Sequence, residues 1–261
     1  MHTEIWAHRG ASRKYIENTI SAFQQAIDDG AEGIELDVQR TYDGQLVVYH
    51  DENLKRLTGV NKFVWEMNWS ELKGLDLHAL NDEDTSIPLL EEVLALLKPT
   101  NLTLNIELKN SYFFYPEMEE EVLKMVKDYS MLDQVLFSSF NHESMQKMSQ
   151  LAGSAYCALL TSDIQVEPWD YAKKVGVGAI HPMINSFQQK DYIKQAHAHG
   201  LKVNAWTADE EVHIYAGFLL GVDAIMTNEP DKAVQLREQF QADGGQKAIE
   251  MVQTFQRINI E

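Results

Sequence analysis

The 261-residue chain holds one cysteine, Cys157. No intrachain disulfide can form, and chemistry between paired thiols is excluded. Cys157 sits in the apolar run 156–160 and is expected to be a small core residue rather than a nucleophile. No apolar run approaches the roughly 20 residues that span a bilayer. The N-terminus lacks the basic stretch and apolar segment of a secretory signal. These absences predict a soluble, cytoplasmic protein with no membrane insertion. Basic residues are scarce: 22 Lys and Arg face 40 Asp and Glu, for a formal charge of −18. That excess repels nucleic acid and anionic bilayers, so neither is an expected partner. It does not exclude a small anionic substrate, because a metal ion or a few cations can reverse the field inside one cleft. No Gly-x-Gly-x-x-Gly follows any candidate strand, which argues against a Rossmann domain.

What is present is a regular alternation. Short β-type runs lie at 4–8, 33–38, 102–109, 134–140, 155–160, 179–181, 202–207 and 224–227. Several are continuously apolar, as parallel strands buried on both faces are. Amphipathic helical patterns separate them; Ile20, Phe23, Ala26 and Ile27 form one such stripe. Gly30, Gly153, Gly176, Gly200 and Gly221 punctuate helix ends. Eight strand–helix repeats predict an α/β fold of the TIM-type (β/α)8 barrel class. The whole chain, 1–261, fits one such domain. An open doubly wound sheet is the alternative. Two stretches break the alternation. Asp43-Gly44 turns the chain into a run at 45–50, and 51–88 then reads as a small insertion over the barrel mouth. Gly244-Gly245 opens a helical tail over 244–261, with Ile249, Val252 and Phe255 on one face. That face docks on its own barrel or, alternatively, forms a homodimer contact.

Catalytic groups of such barrels lie at the C-terminal strand ends. The first strand ends in His8-Arg9-Gly10. The second carries Glu35 and Asp37, whose spacing places both carboxylates on one face. The run after it ends in His50-Asp51, and the third strand carries Glu107 and Lys109. Buried carboxylates are costly unless paired or bound to a metal. Glu35, Asp37 and Glu107 can converge as oxygen ligands for one divalent cation, Mg²⁺ or Ca²⁺. His8 and His50 beside it suit general acid–base work near neutral pH. Arg9 and Lys109 can bind phosphate oxygens. The competing reading pairs the carboxylates with Arg9 and Lys109 as a structural network; agreement among four segments weighs against it. Trp206 gains interest from its place at a strand exit, and His181 is intermediate. His197 and His199 close a helix, where an imidazole suits the dipole, and are set aside.

These residues resemble the glycerophosphodiester phosphodiesterase family. The likeness runs through His8-Arg9-Gly10, Glu17-Asn18-Thr19, Glu35-Leu36-Asp37, Asp43-Gly44, His50-Asp51, Ile87-Pro88, Glu107 with Lys109, Trp206-Thr207 and Gly221-Val222-Asp223. It spans nearly the full length. The resemblance implies a TIM-type barrel with an insertion after the second strand. It implies that Glu35, Asp37 and Glu107 hold the metal and that His8 and His50 exchange protons. Arg9 and Lys109 would contact phosphate, and Trp206 would line a glycerol pocket. Two positions depart from the pattern. Asn228 follows Thr227 where many relatives carry aspartate, and Phe140-Asn141 replaces the commoner Phe-Asp.

The expected reaction is hydrolysis of a small-molecule glycerophosphodiester, a deacylated phospholipid head group, to glycerol 3-phosphate and an alcohol. Attack by a glycerol hydroxyl, through a cyclic phosphate, and direct attack by water both remain open. A lysophospholipase D-type diesterase is the nearest alternative, but it needs an acyl groove or membrane contact. A phosphate-binding isomerase or aldolase would want glycine in the last strand's loop, and 227–231 has none. A non-catalytic binding barrel would not need the complete acid–base set.

Overall fold

The computed structural model describes residues 2–77 and 86–255, with Phe255 described in its backbone only. The other parts of the predicted insertion and tail, 78–85 and 256–261, lie outside the described residues. The barrel is built from β1 (Glu4–His8), β2 (Gly33–Arg40), β4 (Thr103–Leu108), β5 (Val135–Ser139), β6 (Cys157–Thr161), β7 (Ala179–Pro182), β8 (Lys202–Ala205) and β9 (Ala224–Thr227). Neighbours pair in parallel in the order β1-β9-β8-β7-β6-β5-β4-β2, and β1 pairs with β2 to close the ring. A short β3 (Leu46–Val48) returns antiparallel on β2 through the Asp43-Gly44 turn. The predicted barrel is therefore the observed one, and the open sheet is excluded.

Helices wrap the outside: α1 (Ile20–Asp28), α4 (Leu90–Leu97), α5 (Met118–Asp128), α6 (His142–Ala152), α7 (Pro168–Val175), α8 (Tyr192–Ala198), α9 (Glu211–Leu220) and α10 (Pro230–Ala242). The local sequence explains their ends. Thr19 caps α1 by accepting from the Ala22 N–H. Asn141 caps α6 by accepting from the Ser144 N–H and also donates to the Asn110 carbonyl, so this departure from the family pattern has a structural role. None of the helices among the described residues is long and apolar enough to cross a membrane.

Strand periodicity divides the residues into two sets. Ile34, Leu36, Val38, Leu104, Ile106 and Leu108 face the helices in the main core. Fully burying each such side chain contributes about 1.5–3 kcal/mol. The alternate residues, Glu35, Asp37, Asn105 and Glu107, are also buried and face the barrel interior. A second, smaller core gathers Ile16, Val47, Tyr49, Leu54, Val64, Met67, Leu72, Leu77 and Ile87. It organises the insertion with its two short helices, α2 (Lys55–Thr58) and α3 (Trp69–Leu72). The insertion thus has a hydrophobic reason to sit where it does. The tail helix, α11 (Gln246–Phe255), buries Ala248 and Val252 in the main core, alongside Phe218 of α9. For these residues the tail docks on its own barrel.

Two strands start later than the residue pattern suggests. Residues 132–134 and 154–156 form single 3₁₀ turns before β5 and β6. Neither turn buries a residue, and the strands begin where burial begins, at Val135 and Cys157.

Candidate active site

Barrel register sets the heights of the charged groups. His8 of β1 lies opposite Glu35 of β2, and Asp37 lies opposite Glu107 of β4. Lys109 follows β4 directly, and its N–H donates to the Val38 carbonyl. His50 is delivered by the chain leaving β3, where the Tyr49 N–H donates to the Asp37 carbonyl. Residues as far apart in sequence as His8 and Lys109 are thereby brought to one mouth.

Arg9 and Gly10 turn the chain sharply out of β1. Arg9 adopts a left-handed conformation with φ 60°, and Gly10 has φ 82°. A Cβ on Gly10 would meet the backbone and Cβ of Ala22 at 2.7 Å, so only glycine fits. Strain of this kind persists where neighbours over-determine it. Here the Arg9 N–H donates to the Glu35 carbonyl at 2.9 Å, and the Arg9 carbonyl accepts from the Asn18 N–H at 3.0 Å. The turn aims the guanidinium back across the mouth, with Nε 3.3 Å from Asp37 Oδ2 and Nη1 3.0 Å from Glu17 Oε1.

Glu35, Asp37 and Glu107 are buried, and each offers a carboxylate oxygen within 4.8 Å of the others. The cations nearby do not satisfy all three. Lys109 Nζ donates to Glu107 Oε1 at 2.9 Å and lies 3.6 Å from Asp37 Oδ1. Asp37 Oδ1 has no hydrogen-bond partner. Asp37 Oδ2 accepts from Asn18 Nδ2 at 2.9 Å. Burial, with Asp37 and Glu107 as like charges, pushes the Glu35 carboxyl well above the usual range; Arg9 and Lys109 oppose this only in part. Burial also raises Glu107, against the pull of Lys109. Burial would raise Asp37 too, but Arg9 and Lys109 outweigh it and hold that carboxyl low. The three titrate as a unit. Three buried hard oxygen ligands, one of them without a hydrogen bond, fit a divalent cation. The structural-network reading accounts for the Arg9 and Lys109 contacts but leaves Asp37 Oδ1 without a hydrogen bond.

The two histidines have chemically different supports. His8 Nδ1 lies 2.8 Å from Asn228 Oδ1, and its Nε2 lies 3.9 Å from Glu35 Oε2. Burial, then the positive charge of Arg9, lowers the His8 pKa to about 4. His50 Nδ1 lies 2.7 Å from the Asp51 carboxylate. Gln39 Nε2 of β2 donates to the Tyr49 carbonyl at 2.9 Å and the Asp51 carbonyl at 2.8 Å, which holds His50 at the exit of β2. Behind His50 runs an ionic chain. Asp51 accepts from Arg56 Nε at 2.5 Å, and Arg56 donates to Glu17 at 2.5 Å. Glu17 in turn holds Arg9.

Trp206 follows β8, donates its indole N–H to the His181 carbonyl at 2.8 Å, and meets the Phe140 ring edge-on at 5.6 Å. His181 is not at the mouth. It is fully buried inside the barrel, accepts from Asn204 Nδ2 at 2.9 Å, and is held near pKa 3 by burial. His197 pairs with Asp223, and His199 stacks on Trp169. Cys157 is buried in the main core, with its thiol pushed up to about 12 by burial. On the rim, Trp65, Phe113 and Phe114 line a cavity of about 410 Å³ with Arg40 and Tyr42. Asn18, Glu17, Arg56 and Asp209 join the site without having been assigned roles from sequence. The Glu17-Asn18 pair ahead of a capped helix is the one local signal for two of them.

The chain matches the model of the glycerophosphoryl diester phosphodiesterase family over residues 8–232. A glycerophosphodiester phosphodiesterase of Bacillus altitudinis is 40% identical, with 91% of this chain and 99% of that protein covered. Another, from Caldanaerobacter subterraneus subsp. tengcongensis, is 36% identical, with 90% and 98% covered. A phosphodiesterase of Oleispira antarctica, solved in complex with the product sn-glycerol-3-phosphate, superposes with a TM-score of 0.81. It shows 26% identity, with 90% of this chain and 96% of that one covered. With the barrel, the acidic triad and the two histidines in place, the chain belongs to the glycerophosphoryl diester phosphodiesterase family, whose members hydrolyse glycerophosphodiesters.

Proposed function

We propose that this chain hydrolyses glycerophosphodiesters to glycerol 3-phosphate and an alcohol, with one divalent cation, Mg²⁺ or Ca²⁺, and proton exchange by His8 and His50. The observation that carries the reading is the meeting of three buried carboxylates, two histidines and two cationic side chains at one barrel mouth. The product held by the Oleispira antarctica relative supports the same product here. A cytoplasmic location fits the single buried cysteine.

Glu35, Asp37 and Glu107 would hold the cation. Bound there, it supplies Lewis-acid polarisation of the phosphoryl group. The Arg9 guanidinium, aimed across the mouth, donates to a non-bridging phosphate oxygen, and Lys109 binds a second. The Trp206 and Phe140 rings offer an apolar wall to the glycerol carbons. His8 Nδ1 faces a neutral amide oxygen, and His50 Nδ1 faces a carboxylate. A carboxylate favours an imidazolium and an amide does not. His8 therefore takes the proton of the attacking oxygen at Nε2, and His50 gives one to the leaving alkoxide. If a glycerol hydroxyl attacks, its oxygen bonds to phosphorus, the bond to the alcohol breaks, and a cyclic phosphate forms. Water then opens the ring with the two histidines in reversed roles. If water attacks first, the same two transfers suffice.

Metal titration tests the reading. Calorimetry of chelator-treated protein with Mg²⁺ or Ca²⁺ is expected to show one site per chain. Diesterase activity is expected to vanish in chelator and return with either cation. Full activity in chelator, in protein shown free of metal, would remove the triad from the mechanism.

A further inference from the structure

We propose that Asn228 and Asp209 are positioning residues for His8, locking its ring so that Nε2 is the atom that exchanges a proton with substrate. The inference rests on the reading above that His8 transfers a proton.

The lock begins at a group that can only accept. The Asp209 carboxylate takes the Asn228 backbone N–H at 2.8 Å, the Thr227 hydroxyl at 3.1 Å and Asn228 Nδ2 at 2.6 Å. Lys232 Nζ donates to the Asp209 carbonyl at 2.8 Å, which ties the same loop to α10. An ionised carboxylate offers no proton. The end of the Asn228 amide that faces it must therefore be the NH₂ end. The other end, Oδ1, is then turned towards His8 Nδ1 at 2.8 Å and Ser12 Oγ at 2.8 Å. A ring nitrogen at that distance from an amide oxygen has to carry the hydrogen. The tautomer thus follows from the network, which is how such assignments are made. The conclusion holds in both charge states. Neutral or protonated, His8 keeps its Nδ1 hydrogen, so the exchanged proton resides at Nε2. That atom points into the site, 3.9 Å from Glu35 Oε2.

The arrangement crosses three neighbouring strands. Asp209 follows β8, Asn228 follows β9 and His8 ends β1, and these strands are adjacent in the barrel. It also explains why an amide stands at 228. A second carboxylate there would face Asp209 at hydrogen-bond distance with no donor between them, and like charges so placed repel.

The test is a double-mutant cycle on the metal-loaded protein, with ¹⁵N NMR of histidine-labelled samples. Wild type is expected to show His8 with hydrogen on Nδ1. Asp209→Asn frees the Asn228 amide to flip, and Asn228→Asp sets two carboxylates together. Each single variant should lower kcat about 10- to 100-fold, the usual cost of losing a group that orients a site histidine. KM should stay unchanged, because both residues act through His8. The swapped double variant, Asn228→Asp with Asp209→Asn, restores one acceptor facing His8 and one donor between the partners. It should recover most of kcat and the Nδ1–H signature. That recovery also separates positioning from simple destabilisation, which two substitutions would deepen. A wild-type His8 with hydrogen on Nε2 overturns the proposal whatever the activity. So does a kcat unmoved in both single variants while His8→Ala is inactive, or a double variant no better than the singles. If His8→Ala itself keeps full kcat, the failure lies in the proton-transfer reading, and the NMR arm still decides whether Asn228 sets the ring.

Discussion

His50→Ala should lower kcat on a glycerophosphodiester with an alkyl leaving group by about 10²–10⁴-fold, the range expected for loss of a general acid. On a p-nitrophenyl diester the loss should be far smaller, because that leaving group needs little protonation. His8→Ala should lose a similar factor on both substrates, because the attacking oxygen must still shed its proton. The double variant should lose much less than the product of the two single losses, because both groups serve one step. Both variants should keep the fold and the metal site, since the carboxylates are untouched. Steady-state kinetics on the two substrates, with circular dichroism and metal content as controls, measures all of this. A His50→Ala variant equally impaired on both substrates would remove it from the acid role. A His8→Ala variant rescued by p-nitrophenol would exchange the two assignments.

Glu35→Gln should cost about 10³-fold or more in kcat/KM, because it removes a charge from the cation site and with it several kcal/mol of transition-state stabilisation. The same change should stabilise the chelated protein. The Glu35 carboxyl is pushed well above its ordinary range by burial and by Asp37 and Glu107. The folded apoprotein therefore holds a proton that the unfolded chain has already released. That contribution is complete below the unfolded carboxylate pKa and is lost as pH rises through the raised folded value. Chelated wild type should accordingly lose stability with rising pH over that interval, and Glu35→Gln should lack this component. Asp37 has the opposite sign: its carboxyl is held low by Arg9 and Lys109 against burial, so its share is present above the unfolded pKa and lost in acid. Thermal unfolding of both proteins in chelator across pH 4–9 decides the matter. A Glu35→Gln protein that still binds the cation tightly, or is less stable than wild type when chelated, would contradict it. Stability sacrificed at a charged site for function is a general trade.

The gathering of charged groups at the mouth was readable because each group sits in a short motif at a strand exit. His8-Arg9-Gly10, Glu35 with Asp37, His50-Asp51 and Glu107 with Lys109 each carry their meaning within three residues. A parallel barrel brings all strand exits to one face, so the motifs converge without a detailed model of packing. What stayed hidden depends on contacts between distant segments. Asn228 looked like a departure from the family pattern, yet its oxygen meets His8 across 220 positions of sequence. Nothing around Asp209 marks it, because its role appears only when β8, β9 and β1 lie side by side. The Glu17–Arg56 link likewise joins the first turn of the barrel to the insertion. The insertion resisted reading for a different reason. Its core is assembled from both of its ends and from Ile16, so no single window shows a periodic face. The starts of β5 and β6 slipped because Gln134, Ala155 and Tyr156 directly adjoin the apolar runs but lie in 3₁₀ turns that bury no residue.

The proposed reaction cleaves a glycerophosphodiester between phosphorus and the alcohol, using a cation held by the acidic triad. The most direct measurement follows glycerophosphocholine by ³¹P NMR with purified protein and Mg²⁺ or Ca²⁺, beside Glu107→Gln and a chelated sample. The predicted result is conversion of the diester signal to that of glycerol 3-phosphate, with free choline, in wild type alone. A diester signal that persists in metal-loaded wild type, or one replaced by phosphocholine and glycerol, would rule this reaction out.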